Sequence, residues 1–157
     1  MLKYVNHDIV FQEFPDEITL AVNLSLCPCA CPGCHSTYLW GDNGEELTEK
    51  RLFALVEQYG ATITCVGLMG GDNDPASVFS LLKRLKKVYP RLHTGWYSGR
   101  DKFPPMLSAD VAPDYVKIGA WRADRGPLNA PTTNQRMYRF SADGTREDIT
   151  FRFQKKR

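Results

Sequence analysis

Four cysteines lie within eight residues in the first quarter of the chain, at positions 27, 29, 31 and 34. The 157-residue sequence has five cysteines, so only Cys65 stands apart from this cysteine cluster (residues 27–34). Thiolates at such short spacing bind a metal ion or an iron–sulfur cluster, or carry out redox chemistry. The first residues have no apolar core of signal-peptide length. We therefore expect a cytoplasmic protein whose thiols stay reduced rather than paired in disulfides.

Zinc and an iron–sulfur cluster are the two metal centres that this spacing suggests. Structural zinc usually takes its ligands from two separated pairs, whereas here there is one group of thiols and the three histidines are scattered. Cysteines at gaps of two and three residues can surround a polynuclear iron–sulfur core. Pro28 and Pro32 restrict the backbone, and Gly33 lets the chain pass close to a ligand. The spacing favours iron–sulfur over zinc but does not identify which thiols are ligands.

The segment CPCACPGCHSTYLW (27–40) resembles the signature of the radical S-adenosylmethionine (SAM) superfamily, with cysteines at positions 27, 31 and 34. It is most similar to the branch that activates anaerobic ribonucleoside-triphosphate reductases. Three further segments resemble that branch in type and order: GLMGGDND (67–74), GWYSGR (95–100) and DYVKIGAWRADRGPLNAPTTNQRMYRF (114–140). The resemblance extends over nearly the whole chain.

The resemblance implies that Cys27, Cys31 and Cys34 hold three irons of a [4Fe-4S] cluster and leave the fourth iron open to SAM. An electron from the reduced cluster would then cleave a carbon–sulfur bond of SAM, giving methionine and a 5′-deoxyadenosyl radical. Cys29 is not part of the signature, and an extended backbone would turn its side chain away from the cluster, so we expect it to be passive. Cys65 lies in an apolar run, where we expect a buried and inert thiol.

The resemblance also implies which residues bind SAM: Gly33, Cys34, His35, Gly70, Gly71, Asp72 and Ser98. Glycines allow the backbone to approach the ligand closely, and backbone carbonyls can accept hydrogen bonds from its ammonium group. Asp72 would add a carboxylate to the same polar site. Ser98 is expected either to bind the SAM carboxylate or ribose, or to be an exposed loop serine. No side chain is expected to act as a catalytic acid or base, because the radical removes the hydrogen atom.

Short apolar runs alternate with helical patterns along the chain. We predict strands at 17–24, 62–68, 92–97, 115–118 and 137–140. One predicted helix begins after Thr48 and ends at Gly60, and a second begins at Asp74-Pro75. Such alternation is typical of parallel sheets covered by helices.

The predicted fold is a single α/β domain over residues 1–157. It is a small open partial (βα) barrel of the radical SAM type, with a mainly parallel sheet and helices packed outside. Since ligands bind at the carboxyl ends of parallel strands, the cysteine cluster and Gly70-Gly71-Asp72 should share one edge of the sheet.

The predicted partners also follow from the resemblance. They are an anaerobic ribonucleoside-triphosphate reductase, which would receive a glycyl radical, and a low-potential electron donor such as flavodoxin. A net charge of +2 gives no reason to expect nucleic-acid binding, and no apolar run approaches the length of a membrane span. Three alternatives stay open: an activase of another glycyl-radical enzyme such as pyruvate formate-lyase, an iron–sulfur electron carrier that never cleaves SAM, and a zinc-stabilised interaction module.

Overall fold

The computed structural model describes residues 1–25, 42, 44–108 and 110–154. These residues form one eight-stranded sheet and two α-helices, with two short 3₁₀ turns at Gly60–Thr62 and Thr150–Phe153. The elements are β1 (Lys3–Val10), β2 (Thr19–Leu24), β3 (Glu45–Glu46), α1 (Glu49–Tyr59), β4 (Cys65–Met69), α2 (Pro75–Val88), β5 (His93–Tyr97), β6 (Tyr115–Ile118), β7 (Arg136–Phe140) and β8 (Arg146–Asp148). The strand order across the sheet is β3-β1-β2-β4-β5-β6-β7-β8.

The predicted fold class, a mainly parallel open partial (βα) barrel with helices packed outside, is wrong. The sheet is mixed. Its four central strands, β2, β4, β5 and β6, form three parallel pairings, and the other four of the seven pairings are antiparallel. Within the described ranges only two α-helices are present, and none covers the connection from β5 to β6. The predicted strands themselves are confirmed, and the omitted ones are the outer strands β1, β3 and β8. β3 and β8 are exposed, and β1 is only partly buried and carries several polar residues, so their sequences lack an apolar strand pattern.

Both predicted helices are confirmed, and each begins at the predicted cap. The Thr48 hydroxyl accepts from the Arg51 backbone N–H at 3.1 Å, and the Asp74 carboxylate accepts from the Ser77 backbone N–H at 3.3 Å. The apolar stripes of the two helices pack on one face of the central strands, where the ring of Phe79 meets that of Trp96 at 5.1 Å. In the part of the chain that the structure describes, no helix has the length and apolarity to cross a bilayer.

The opposite face of the sheet is covered by Phe14, which lies in the connection between β1 and β2. Its side chain is completely buried, and its ring packs edge-on to Tyr97 at 5.3 Å and stacks on Tyr115 at 5.2 Å. Two glycines on adjacent strands make room for the ring. A Cβ atom at Gly95 would lie 2.3 Å from Phe14 Cζ, and one at Gly67 would lie 2.7 Å from Phe14 Cε2. Gly67 and Gly95 therefore form the slot that seats Phe14.

A buried carboxylate joins the amino ends of the parallel strands. Glu17 accepts hydrogen bonds from the Thr64 hydroxyl (2.7 Å), His93 Nδ1 (2.6 Å) and the Tyr115 hydroxyl (2.8 Å). Arg139 in turn donates to the Tyr115 oxygen at 2.8 Å and lies over its ring. Glu17 lies two residues before β2, and its carboxylate contacts the starts of β4, β5 and β6. It therefore joins the amino ends of all four parallel strands.

Substitution of Gly95 by Ala should destabilise the fold by about 1–3 kcal/mol, because the new methyl group would overlap the immobile ring of Phe14. Unfolding in urea of Gly95→Ala, Phe14→Leu and the double variant would measure this overlap. We expect the double variant to lose less stability than the sum of the single losses, since the smaller side chain makes room for the methyl group. Additive losses would show that Phe14 is not the obstacle.

Substitution of Glu17 by Gln should lower the free energy of unfolding by about 2–3 kcal/mol, because the buried amide cannot accept from all three donors. The matched control is Glu57→Gln, since the exposed Glu57 also accepts from a tyrosine hydroxyl, that of Tyr89, at 2.6 Å. We expect the control to change stability by less than about 0.5 kcal/mol in the same urea titration. Equal losses in the two variants would contradict a central role for Glu17.

Candidate functional site

The parallel strands end together at one edge of the sheet, referred to below as the site edge. Asn23, Met69, Tyr97 and Lys117 lie side by side in register on β2, β4, β5 and β6. The segments that follow these strands therefore share this edge, as expected for Gly70-Gly71-Asp72. β2 ends three residues before the first cysteine of the cluster. The cysteine cluster and His35 lie outside the described residues. The structure therefore does not describe the predicted cluster ligands Cys27, Cys31 and Cys34 or the predicted SAM-binding residues Gly33, Cys34 and His35.

Gly70 and Gly71 form the tight passage from β4 towards α2. Both have positive φ angles, 110° and 91°, which favour glycine. A Cβ atom at Gly71 would also lie 2.6 Å from a methyl group of Val78. The Gly70 carbonyl accepts from the indole N–H of Trp96 at 2.6 Å, and its own N–H donates to the Tyr97 carbonyl at 2.9 Å. The fold therefore requires both glycines, independently of any ligand that they bind.

Asp72 and Ser98 are buried together at the site edge. The Ser98 hydroxyl donates to Asp72 Oδ1 at 2.5 Å, and the Gly99 backbone N–H donates to Asp72 Oδ2 at 2.9 Å. Asp72 is only 5% exposed and Ser98 only 1%. These contacts connect the loop after β4 to the loop after β5. Ser98 is thus a buried partner of Asp72, and the exposed-loop alternative for this serine is wrong.

A cavity of about 640 Å³ opens beside this pair, and Asp72, Ser98 and the residues after β5 line it. Ser98 follows Tyr97 and, by strand alternation, lies on the face that carries Trp96 and the helices. One wall is apolar and consists of Phe103, Pro104, Pro105 and Met106. The cavity volume lies within the range of roughly 300–1,000 Å³ that is typical of ligand sites.

Arg100 and Lys102 also line this cavity, and both are exposed. Neither forms an ion pair with a carboxylate of the described residues. The neighbouring Asp101 is engaged elsewhere: it accepts from the Ala120 backbone N–H at 3.0 Å and from Arg122 at 3.2 Å, and these contacts hold its pKa below the usual value. The cavity therefore presents two cations to an anionic group of a ligand. Arg100 is the last residue of the segment GWYSGR, from which only Ser98 was predicted to bind SAM, and Lys102 lies two residues beyond it.

Lys117 is a further residue of the site edge that sequence reasoning missed. Its side chain is buried on the face opposite the helices, and its Nζ lies 3.1 Å from the Gly119 carbonyl and 3.4 Å from that of Ser98. The ammonium group also lies 5.3 Å from the centre of the Tyr97 ring. A lysine inside the apolar run from Tyr115 to Ile118 was the available signal, because a lysine in a strand that is buried on both faces is rare.

Cys65 lies at the other end of the strands, away from the site edge. It is fully buried, as predicted, and burial raises the pKa of its thiol far above the usual value, with the negative charge of Glu17 adding to the effect. An inert thiol is the expected consequence. Among the residues that the structure describes, no three His, Cys, Asp or Glu side chains are grouped to hold a metal.

Removal of the Asp72 carboxylate should destabilise the protein, because the Ser98 hydroxyl and the Gly99 N–H would be left buried without their acceptor. We expect a loss of about 2–3 kcal/mol for Asp72→Ala and about 1 kcal/mol for Ser98→Ala in urea unfolding. The two losses should be non-additive, with the double variant little worse than Asp72→Ala alone. Full additivity would show that the two side chains act independently.

Comparison of the chain with protein-family models, with curated proteins and with solved structures gave no match. The interpretation of the site edge therefore depends on the chain's own residues and on the geometry described above.

Proposed function

We propose that this protein is a radical SAM activase that generates a glycyl radical on an anaerobic ribonucleoside-triphosphate reductase. Cys27, Cys31 and Cys34 would bind the [4Fe-4S] cluster, as the resemblance implies. The observation that carries the proposal is the shared site edge: the strand leading into the cysteine cluster ends beside the strands that lead into Gly70-Gly71-Asp72 and Ser98. Cluster and SAM would meet at this edge.

The chemistry of the site edge fits SAM. When bound, the reduced cluster supplies one electron that cleaves a carbon–sulfur bond of SAM, and the adenosyl radical takes a hydrogen atom from the target glycine. The SAM ammonium group needs acceptors, and the Asp72 carboxylate, which accepts from Ser98 and Gly99, would add a negatively charged acceptor at the site edge. The Gly70 carbonyl likewise keeps one lone pair besides the bond from Trp96.

The methionyl carboxylate of SAM needs cationic or N–H donors. Arg100 and Lys102 present such groups at the cavity beside Asp72, and Lys117 places a third cation on the other side of the edge. By the resemblance, Gly33, Cys34 and His35 would bind SAM as well. In this scheme the side chains orient the ligand and exclude water, and none transfers a proton.

The proposed partners are the reductase, which carries the glycine, and a low-potential electron donor such as flavodoxin. Both roles place the protein in the cytoplasm, where the thiols of the cysteine cluster would stay reduced. An electron carrier that never cleaves SAM and a zinc-stabilised module are the competing functions, and the following experiment separates them.

The proposal predicts a glycyl doublet in electron paramagnetic resonance when the anaerobically purified protein is mixed with the reductase, SAM and a strong reductant. Cys27→Ala, Cys31→Ala and Cys34→Ala should each abolish the brown chromophore or SAM cleavage, whereas the control Cys29→Ala should retain both. A fully loaded cluster that forms no 5′-deoxyadenosine would identify an electron carrier instead. Zinc without iron or sulfide would identify the interaction module.

Asp72→Asn should weaken SAM binding by roughly tenfold while the iron content stays unchanged, because the charge that attracts the ammonium group is lost. Equilibrium binding of SAM, compared with iron and sulfide analysis of the same samples, measures the two effects. The matched control is Asp101→Asn, which removes a carboxylate from the same cavity but one that faces Arg122. Parallel loss of cluster and SAM binding would instead assign Asp72 a purely structural role.

A further inference from the structure

A second cavity, of about 610 Å³, lies on the face of the sheet opposite the helices. We call it the open-face cavity. It is bounded by the β1–β2 connection (11–16), the turn at 127–129 and the 3₁₀ turn Thr150–Phe153. Its walls include Phe14, Leu128 and Phe153, so much of its surface is apolar. Its volume is sufficient for one or two large side chains.

One exposed phenylalanine lines this cavity, and a second directly precedes two of its lining residues in sequence. Phe11 lines it and is 66% exposed, and Phe151, which is 60% exposed, immediately precedes the lining residues Arg152 and Phe153. They are the only aromatic side chains among the strongly exposed large apolar residues of the described chain. A single exposed apolar residue is unremarkable, but two at one concave surface are typical of a protein-binding site.

The charge at the open-face cavity is negative. Asp16 is paired with Arg152 across it, whereas Glu13 forms no ion pair with any cation of the described residues. Glu13 is partly buried, and this burial, with a smaller contribution from Asp8, raises the pKa of its carboxyl group. A cationic group of a bound partner would relieve the loss of solvent around this carboxylate.

The open-face cavity is continuous with the site edge through Tyr97. This residue is the last of β5 and lies in register with Met69 and Lys117, yet it also lines the cavity and donates to the Glu13 carbonyl at 2.6 Å. A chain seated in the open-face cavity would therefore lie next to the site edge, because Tyr97 belongs to both.

We propose that the open-face cavity docks a segment of the reductase, with an apolar side chain inside it and a lysine or arginine against Glu13, so that the adjoining residues reach the site edge. The inference rests on the proposed function for the identity of the partner. A macromolecule suits the surface better than a small ligand, because Phe11 and Phe151 extend the apolar contact beyond the cavity itself.

The test uses Phe11→Ser, Phe151→Ser, their double variant and Glu13→Gln, with binding to the isolated reductase measured by sedimentation or calorimetry. We expect at least tenfold weaker binding for the double variant and severalfold weaker binding for Glu13→Gln. The matched control is Val88→Ser, which removes an apolar side chain that is 44% exposed at the end of α2 and that lines neither of the two cavities. SAM cleavage in the absence of the reductase should be unchanged in all of them, since none belongs to the proposed SAM site.

Unchanged reductase binding in a correctly folded double variant would overturn the docking proposal, and so would an equal loss in Val88→Ser. Concentration-dependent self-association that disappears in Phe11→Ser would assign the cavity to a second copy of this chain, and would also overturn it. Failure of the wild-type protein to cleave SAM would instead reject the proposed function. The two failures are distinguishable, because reductase binding is measured without SAM or reductant.

Discussion

Glu17 is a buried carboxylate, and its burial is tolerated because three side-chain donors satisfy it. The donors come from Thr64, His93 and Tyr115, at the starts of three successive parallel strands. Such a contact fixes the strands at their amino ends, and backbone pairing carries the alignment to their carboxyl ends. The register of Met69, Tyr97 and Lys117 at the site edge follows from it. A buried polar contact thus helps to position a site at the opposite end of the sheet.

The mixed sheet gives the site edge two different sides. Towards the helices, Asp72 and Ser98 are buried beside a cavity that is also lined by the cations Arg100 and Lys102, which pair with no carboxylate of the described residues. Towards the opposite face, Tyr97 and Lys117 lie beneath the loop that carries Phe14. No helix in the described ranges covers that second face, so it remains accessible around Phe11 and Phe151. A small ligand and a macromolecular partner can therefore approach the same edge from different sides.

The packing also explains why glycines recur near the site edge. Gly67 and Gly95 admit the ring of Phe14, whereas Gly70 and Gly71 turn the chain over β2 with positive φ angles. The packing or the backbone conformation requires glycine at each of these positions, whether or not SAM binds. A glycine motif at a strand end is consequently weaker evidence for a ligand than the buried Asp72–Ser98 pair, which brings polar side chains from two loops to one point.

The sequence by itself determined the central strands, both helices with their caps at Thr48 and Asp74, and the common edge of β2 and β4, because these depend on local propensity and periodicity. The proposed ligands of the cysteine cluster come from the resemblance to the radical SAM signature, since spacing alone does not identify them. Only the tertiary structure decided the antiparallel outer strands, the slot for Phe14, the partner of Asp72 and the burial of Lys117. Each of these depends on residues far apart along the chain, as with the 98 positions between Glu17 and Tyr115. No local pattern encodes such pairs, because their contact exists only once the sheet has assembled.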